Sequence, residues 1–449
     1  FNGFRENVID GIETCCDKYN IDFSIEPSIS TEGMLSAFFR SFRKKYPDKK
    51  IYVIIDEYDH FANELLGFNL NLFKNLVSKD GKVRKWYEVL KKGAFTVVDR
   101  IFITGVTPIT LDSLTSGFNI ATDITRDDYF NEMMGFTYEE INLIMDDQGI
   151  LKKEELFPIM KENYDGYKFS GRAKVHVYKS NMCLYFLNNY MKYNEVPQNL
   201  IDVNISSDYS KLAGMLNLCN GEMREKLLQT VIAGDTVEVE LVEKFNPVID
   251  FEEKEFVSLL FYLGYLTIEN YELGLTKLKI PNQVMGNIYS EYFLSILNDE
   301  LNIKYDDSLV RKELALEGKI DESLNILHTY LSNLSNRDYE KFDEKYVKVI
   351  YYSIIKSLKV FSVKSEMEAS RNYPDIFISP YDTKKDYYNI IIEFKYLKKK
   401  DASKLDEMKE QAKDQIMKYS NLDDIKRIKK LKKYTVVAIV DELYVDEID

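Results

Sequence analysis

The residues with the most distinctive chemistry lie near the C-terminal end of the chain: Glu368, Asp375, Glu393 and Lys395. Asp375 precedes a short apolar run, and Glu393 and Lys395 lie within a longer run of apolar and aromatic residues. Because side chains alternate between the two faces of a strand, Glu393 and Lys395 are expected to point the same way. A hairpin between the two runs would place Asp375 beside Glu393. Two adjacent carboxylates repel each other unless a cation joins them, and such oxygen ligands suit Mg²⁺ or Mn²⁺.

This constellation predicts chemistry at a phosphate group. A divalent cation between Asp375 and Glu393 would bind a phosphate oxygen and lower the pKa of its water. Lys395 would orient that water or help to deprotonate it, and would stabilise charge on the phosphorus.

The spacing Pro374-Asp375, followed by Glu393-Phe394-Lys395, resembles the PD-(D/E)xK nuclease superfamily. Glu368 matches the additional acidic residue that this superfamily often carries before the aspartate. The resemblance implies a catalytic role for these charged residues, with Glu368, Asp375 and Glu393 as the metal ligands.

A glutamine also fits the resemblance. Gln415 and Tyr419 lie four residues apart in a predicted helix and therefore share a face. Several branches of the superfamily carry such a Gln/Tyr pair on this helix, which implies that Gln415 belongs to the catalytic set.

A Glu-x-Lys motif alone is weak, because a chain this rich in charge contains several, and a hairpin with solvated charges explains it equally well. The order of elements favours the nuclease fold. A helix is predicted at 346–360, followed by three strands, a helix and a final buried strand at 434–440. This order predicts a restriction-endonuclease-like αβββαβ domain within an α/β protein.

The front half of the chain contains a second motif. Five apolar residues, Ile51 to Ile55, precede Asp56 and Glu57, and a later apolar run ends at Thr104. Continuous apolar runs predict parallel strands buried on both faces, with ligands bound at their C-terminal ends. The runs resemble a Walker B strand and a sensor-1 strand, which implies nucleotide binding by Asp56, Glu57 and Thr104. The alternative, a buried strand that happens to end in an acidic turn, fits the first run equally well.

Further motifs between residues 104 and 169 favour the nucleotide-binding interpretation. They include Thr104-Gly-Val-Thr-Pro and Tyr164-Asp-Gly-Tyr-Lys-Phe169, and their order resembles the AAA-ATPase-like family. Members of that family often join such an ATPase to a PD-(D/E)xK nuclease domain.

One motif of that family is missing. No Gly-x-x-x-x-Gly-Lys-Ser/Thr loop occurs in the sequence. In the family this phosphate loop lies further upstream of the Asp-Glu strand than Phe1, so the chain resembles a member whose N-terminal part is missing. The sheet is therefore expected to be an incomplete AAA-like P-loop sheet, with ATP as a cofactor only if such a loop is supplied. Residues 4–19 and 31–45 are predicted to be helices packed on it, with Thr31 as an N-cap.

Length and composition predict the division into domains. The 449 residues suggest three domains: an AAA-like domain at 1–145, a helical and winged-helix-like region at 146–305, and a nuclease-like domain at 306–449. The winged helix is predicted from a helix at 251–263, which ends before Gly264, and the two short strands after it. Four scattered cysteines and the lack of a long apolar span predict a protein of the reducing cytoplasm without membrane contact.

The net charge of −14 argues against a protein that coats DNA, but two lysine-rich clusters stand out. They could flank one active face and contact phosphates without reading bases, although each is equally well explained as a solvated surface. The first cluster comprises Lys395, Lys398, Lys399, Lys400 and Lys404, and the second comprises Lys426, Arg427, Lys429, Lys430, Lys432 and Lys433.

The sequence therefore predicts a metal-dependent nuclease coupled to an AAA-like module, with nucleic acid as the partner and DNA as the expected substrate. The alternatives are an ATPase-like regulator and a nucleic-acid-binding scaffold without catalysis. The sequence does not distinguish DNA from RNA, and it leaves a homo-oligomer open.

The missing loop generates a first prediction. Without backbone amides and a lysine to hold the phosphates, the AAA-like sheet with Asp56, Glu57 and Thr104 should bind ATP weakly or not at all. Isothermal titration calorimetry with Mg-ATP measures this affinity. Submillimolar binding that disappears in Asp56→Ala would contradict the prediction.

Overall fold

The computed structural model describes twelve segments of the chain: residues 2–26, 28–59, 82–106, 120–197, 199–202, 212–216, 220–243, 252–334, 343–365, 374–381, 385–420 and 423–448. The described residues divide into two compact units. The first comprises residues 1–124 and 240–263, and the second comprises 125–239 and 264–449. The division into three domains predicted above stays a prediction.

The first unit contains a two-stranded parallel sheet with helices packed around it. Its elements are α1 (Asn2–Tyr19), α2 (Thr31–Lys45), β1 (Ile51–Ile55), α3 (Lys82–Ala94), β2 (Val98–Ile103) and, later in the chain, α8 (Glu253–Tyr262).

Two details of this unit differ from expectation. The N-cap of α2 is Ser30, whose hydroxyl accepts from the Gly33 N–H at 3.3 Å, so Thr31 is the first helical residue and not the cap. The strand β1 is also not buried on both faces, because Tyr52 is 66% exposed and Ile54 is 75% exposed. One face of this strand is therefore packed and the other is exposed. The sequence does not indicate this, because polar residues do not alternate with apolar residues along the run.

The second unit begins with a helical region whose core is built from aromatic and sulfur-containing side chains such as Tyr164, Met182 and Phe186. Its elements are α4 (Tyr138–Asp147), α5 (Lys153–Tyr164), α6 (Ser180–Tyr193), α7 (Gly221–Ile232), β3 (Val237–Val239), β4 (Thr267–Glu272), β5 (Leu275–Lys279), α9 (Gln283–Leu301), α10 (Asp307–Lys312) and α11 (Asp321–Asn333).

A hairpin follows α8, as the winged-helix interpretation requires, and Gly264 has the positive φ of +77° typical of a residue that follows a helix. The short strand β3 also pairs with β5, which makes a three-stranded antiparallel sheet. The helix α8 belongs to the first unit and the hairpin to the second. The winged-helix module stays a prediction.

The C-terminal part of the second unit has the predicted order of helix, three strands, helix and strand. Its elements are α12 (Glu344–Ser357), β6 (Phe361–Ser365), β7 (Ile376–Pro380), β8 (Asn389–Leu397), α13 (Leu405–Ser420), α14 (Asp423–Lys426), β9 (Leu431–Ile439) and β10 (Glu442–Ile448). The sheet order is β10-β9-β8-β7-β6, with β8 and β9 parallel and the other neighbours antiparallel. The mixed α/β class is confirmed, and β10 is an additional edge strand that the sequence analysis missed.

The two faces of this sheet are covered by different helices. On one face the ring of Phe394 contacts Tyr351 of α12, with their centroids 5.0 Å apart. On the other face Leu397 and Val437 form a cluster against Leu405 and Met408 at the start of α13. Side-chain alternation along β8 therefore directs its odd-numbered residues toward α13.

No helix among the described residues is both long enough and apolar enough to cross a membrane.

Candidate active site

The strand register places Asp375 and Glu393 beside each other. Ile376 of β7 pairs with Ile392 of the antiparallel strand β8. Asp375, which precedes Ile376, therefore lies next to Glu393, which follows Ile392. A backbone contact holds this arrangement, because the Phe394 N–H donates to Asp375 Oδ2 at 2.7 Å. Asp375 is only 4% exposed and Glu393 only 1% exposed, so the two carboxylates share a buried site.

Two lysines partly neutralise this pair. Lys348 of α12 lies 2.6 Å from Asp375 Oδ1, and Lys395 lies 2.9 Å from Glu393 Oε1. Glu344, one turn before Lys348 on α12, contacts both ammonium groups, at 2.8 Å and 3.9 Å respectively. When all five groups are ionised, the three carboxylates and two ammonium groups among these described residues carry a net charge of −1.

One carboxylate oxygen of the site is available to a cation. Both oxygens of Asp375 and Oε1 of Glu393 are engaged by the donors described above. Glu393 Oε2, by contrast, is buried and has no hydrogen-bond partner among the described residues. A buried carboxylate oxygen without a donor is costly, so this atom indicates that the site fits a cation.

Electrostatics in the site agree with this view. Burial, together with the negative charge of Asp375, raises the pKa of Glu393 to about 7, although Lys395 opposes the shift. Burial by itself would lower the pKa of Lys348, but Asp375 and Glu344 outweigh it and raise that pKa, so the ammonium stays charged. The ammonium of Lys348 thus stays charged, while the carboxyl of Glu393 gains its negative charge only as the pH rises through about 7.

Two further unpartnered oxygens belong to the elements around Glu393. Thr435 of β9 pairs with Glu393 in the parallel ladder, so their side chains share a sheet face, and its buried Oγ1 has no hydrogen-bond partner in the described part of the chain. Gln415 lies on α13, which packs against β8 and β9, and its buried Oε1 likewise has no partner there. The structure therefore places Gln415 on the predicted helix but in no hydrogen bond with Asp375, Glu393 or Lys395.

The structure also reveals participants that the sequence analysis missed. Glu344 and Lys348 read as an ordinary helix-stabilising pair, four residues apart, and nothing in their spacing marks them as neighbours of Asp375. Thr435 offered a weak signal, since it is a polar residue within the buried run of β9.

The acidic side chains of the site form only part of the predicted set of metal ligands. No group of three or more His, Cys, Asp or Glu side chains in the described segments is arranged to hold a metal ion. Glu368, the third predicted ligand, lies outside the described residues. The described part of the predicted ligand set is Asp375 and Glu393, whose oxygen atoms suit Mg²⁺ or Mn²⁺.

Three residues of the first unit, Asp56, Glu57 and Thr104, were predicted from the sequence to bind nucleotide. Asp56 and Thr104 directly follow β1 and β2, and the Thr104 hydroxyl donates to Asp56 Oδ1. The Glu57 N–H donates to the same oxygen at 3.0 Å, with Glu57 in the left-handed region at φ 51°. Their roles in nucleotide binding stay predictions.

Asp59 is a further acidic residue in this unit. It is fully buried, and both of its oxygens accept from the Val106 N–H, at 3.0 and 3.1 Å. A Cβ at position 105 would collide with Tyr58 and Asp59, so Gly105 permits this close approach. Asp59 therefore joins the segments that follow β1 and β2.

The raised pKa of Glu393 generates a prediction for the metal-free protein. Above pH 7 Glu393→Gln should be more stable than the wild type, because the amide keeps the shape of the side chain and removes a buried charge. Since the folded-state pKa is raised, the wild type loses stability as the pH rises from about 4.5 to about 7, and the variant does not. In EDTA at pH 8 we expect the melting temperature of Glu393→Gln to exceed that of the wild type by about 2–4 °C.

The gain should shrink as the pH falls to 5. Glu410→Gln, an exposed glutamate of α13, is the matched control and should change little at either pH. A destabilised Glu393→Gln protein at pH 8 would show that the carboxylate is well solvated or paired.

Comparison with known proteins agrees with both halves of this description. Residues 2–115 match the family model described as a predicted AAA-ATPase, and residues 342–447 match the model of the PD-(D/E)XK nuclease superfamily. Searches of curated proteins and of solved structures found no match. The chain thus combines an AAA-ATPase-like region near its start with a PD-(D/E)XK nuclease superfamily domain near its end.

Proposed function

We propose that this protein hydrolyses phosphodiester bonds in nucleic acid, with DNA as its substrate, and that the reaction requires a divalent cation. The observation that carries the proposal is the buried pair of Asp375 and Glu393, with Lys395 beside it and one carboxylate oxygen of Glu393 unpartnered. The match to the nuclease superfamily model supports the same function.

The two carboxylates would hold the cation, with Glu368 as a third ligand and Mg²⁺ or Mn²⁺ as the ion. Such an ion supplies a Lewis acid for the phosphate group and acidifies water. Glu393 would offer Oε2, and Asp375 would exchange its contact with Lys348 for the ion. Asp375 Oδ2 would keep the Phe394 N–H and thereby keep the carboxylate oriented.

Lys395 would act on the reacting groups. Its ammonium is mostly buried and lies on the same strand face as Glu393, two residues further along β8. From there it would orient the attacking water and stabilise the negative charge that develops on the phosphate. Gln415 and Thr435, with oxygens unpartnered near the same strands, would help to hold that water.

The lysine-rich clusters would hold the nucleic acid. Asn389 pairs with Leu431 and Leu397 pairs with Ile439, so the clusters lie at opposite ends of the β8–β9 ladder, with Glu393 midway. In the second cluster, Lys430 and Lys432 are paired with Asp386 and Glu447. In the first cluster, Lys398, Lys399 and Lys400 form no ion pair with another described residue, so this cluster is the better candidate for phosphate contacts.

A nucleic-acid-binding scaffold without catalysis is the second candidate. It is favoured by the contact between Lys348 and Asp375, because an ammonium already occupies one oxygen that a metal ion would need. In both candidate functions, the activity of the C-terminal domain would be coupled to the AAA-like region.

A direct assay separates the two. The protein is incubated with single- and double-stranded DNA and RNA in Mg²⁺, Mn²⁺ or EDTA, and the products are resolved on a denaturing gel. We expect cleavage of DNA with either ion and none in EDTA. Binding without cleavage under every condition would favour the scaffold.

Lys395→Ala should abolish cleavage with little effect on folding or on metal binding. The variant removes a cation and no ligand, and loss of one preorganised group of this kind commonly costs about 10²–10³ in rate. Glu393→Ala should lose both cleavage and metal binding. Mn²⁺ binding, followed by electron paramagnetic resonance, distinguishes these two outcomes.

Lys413→Ala, an exposed lysine of α13 that lies outside both lysine-rich clusters, is the control for that experiment. It should cut DNA at nearly the wild-type rate. A Lys395→Ala protein with wild-type activity would mean that the cleavage arises at another site.

Removing three charges from the first cluster should weaken DNA binding without changing its metal dependence. For the triple variant Lys398→Gln, Lys399→Gln, Lys400→Gln we expect the slope of log K against log salt to fall by about 2–3. Fluorescence anisotropy with labelled DNA measures this slope. The triple variant Arg43→Gln, Lys44→Gln, Lys49→Gln removes equal charge from exposed positions in the first unit, and an equal effect there would contradict a specific role for the cluster.

A further inference from the structure

A cavity of about 580 Å³ lies within the second unit, away from the carboxylate site. Its walls come from the start of α5, the end of α6, the end of α10 and the far ends of β6 and β7. This volume is within the range of small-molecule sites in proteins. The strand β7 runs from beside Asp375 to Pro380 at the cavity, a distance of about 17 Å.

Positive charge dominates the cavity wall. Four basic residues line it, Lys152, Arg311, Lys312 and Lys385, against two glutamates. Among the described residues, Arg311 forms one ion pair, a long contact of 3.5 Å with Asp307, and its buried Nε has no hydrogen-bond partner. Lys312 is exposed and forms no ion pair within the part of the chain that the structure describes. The last turn of α10 therefore carries two cationic groups, Arg311 and Lys312, that are available to bind an anion.

Flat apolar surfaces lie beside these charges. Four aromatic side chains line the same cavity, including Tyr190, which is 8% exposed, and Tyr387. The ammonium of Lys385 lies 5.8 Å from the centre of the Tyr387 ring. Aromatic faces next to cationic groups are the combination that binds a nucleobase together with its phosphate.

The local backbone is also unusual. Residues Glu313–Glu317 form a π-helical turn directly after Arg311 and Lys312, and Ala315 and Leu316 of this turn line the cavity. The Tyr388 N–H donates to the Ala315 carbonyl at 3.0 Å and fixes the turn. Single π-helical turns are rare and occur frequently at functional sites, so this turn is a second, independent feature of a ligand site.

We propose that this cavity binds a nucleotide, with its phosphate at Arg311 and Lys312 and its base against the tyrosines. The site is separate from the carboxylate pair and does not depend on the proposed nuclease reaction. The nucleotide is either a free mononucleotide or a residue within a nucleic-acid strand, since both present the same phosphate and base.

The test uses isothermal titration calorimetry on the full chain with four probes: AMP, dTMP, the oligonucleotide (dT)8 and inorganic phosphate. We expect saturable binding of at least one nucleotide probe, and binding of phosphate at least about tenfold weaker. Binding of mononucleotides identifies a free ligand, and binding of (dT)8 alone identifies a strand.

Variants assign the binding to the cavity. Lys312→Gln removes an exposed charge that forms no ion pair with a described residue. It should weaken nucleotide binding by about tenfold, because a charge-assisted phosphate contact is lost. Tyr387→Leu should weaken nucleotide binding while leaving that of phosphate unchanged. Lys319→Gln is the matched control, since this exposed lysine of the same segment pairs with Glu317 outside the cavity.

Three results would overturn the proposal. They are no saturable binding of any nucleotide probe, binding that Lys312→Gln leaves unchanged, and phosphate binding as tight as nucleotide binding. Circular dichroism of each variant shows whether the chain is folded. If Tyr387→Leu does not fold, Lys312→Gln alone still tests the proposal.

Discussion

The arrangement of the C-terminal domain depends on one contact, the hydrogen bond from the Phe394 N–H to the buried carboxylate of Asp375. It joins the start of β7 to the middle of β8 and fixes Asp375 next to Glu393. The same contact forces two acidic groups into a site from which water is largely excluded. Such a site costs stability, because a buried carboxylate needs a partner, and proteins tolerate this cost mainly where function requires it.

The surrounding elements reduce the cost without removing it. Lys348 and Glu344 come from α12, Lys395 comes from β8 itself, and with all groups ionised the cluster carries a net charge of −1. The parallel pairing of β8 with β9 adds Thr435 beside Glu393, and α13 covers the same face. Each of these elements brings a polar atom near the carboxylates, and three of those oxygens lack a donor. These oxygens are the basis for the cation site that we propose.

Local sequence patterns predicted much of this fold, because β8 and the start of β7 are strongly apolar around single charged residues. The pairing of Asp375 with Glu393 follows from alternation and a hairpin. The roles of Glu344 and Lys348 could not be predicted, since they depend on how α12 packs against the sheet. The exposed face of β1 was missed for a related reason: an apolar run does not reveal whether both of its faces are covered.

The most direct measurement of the central claim is an anomalous difference map from crystals soaked in Mn²⁺. The account predicts a single strong peak within coordination distance of Glu393 Oε2 and Asp375 Oδ1, with the ammonium of Lys348 displaced from Asp375. Manganese peaks that occur only elsewhere, with Lys348 still bound to Asp375, would contradict it.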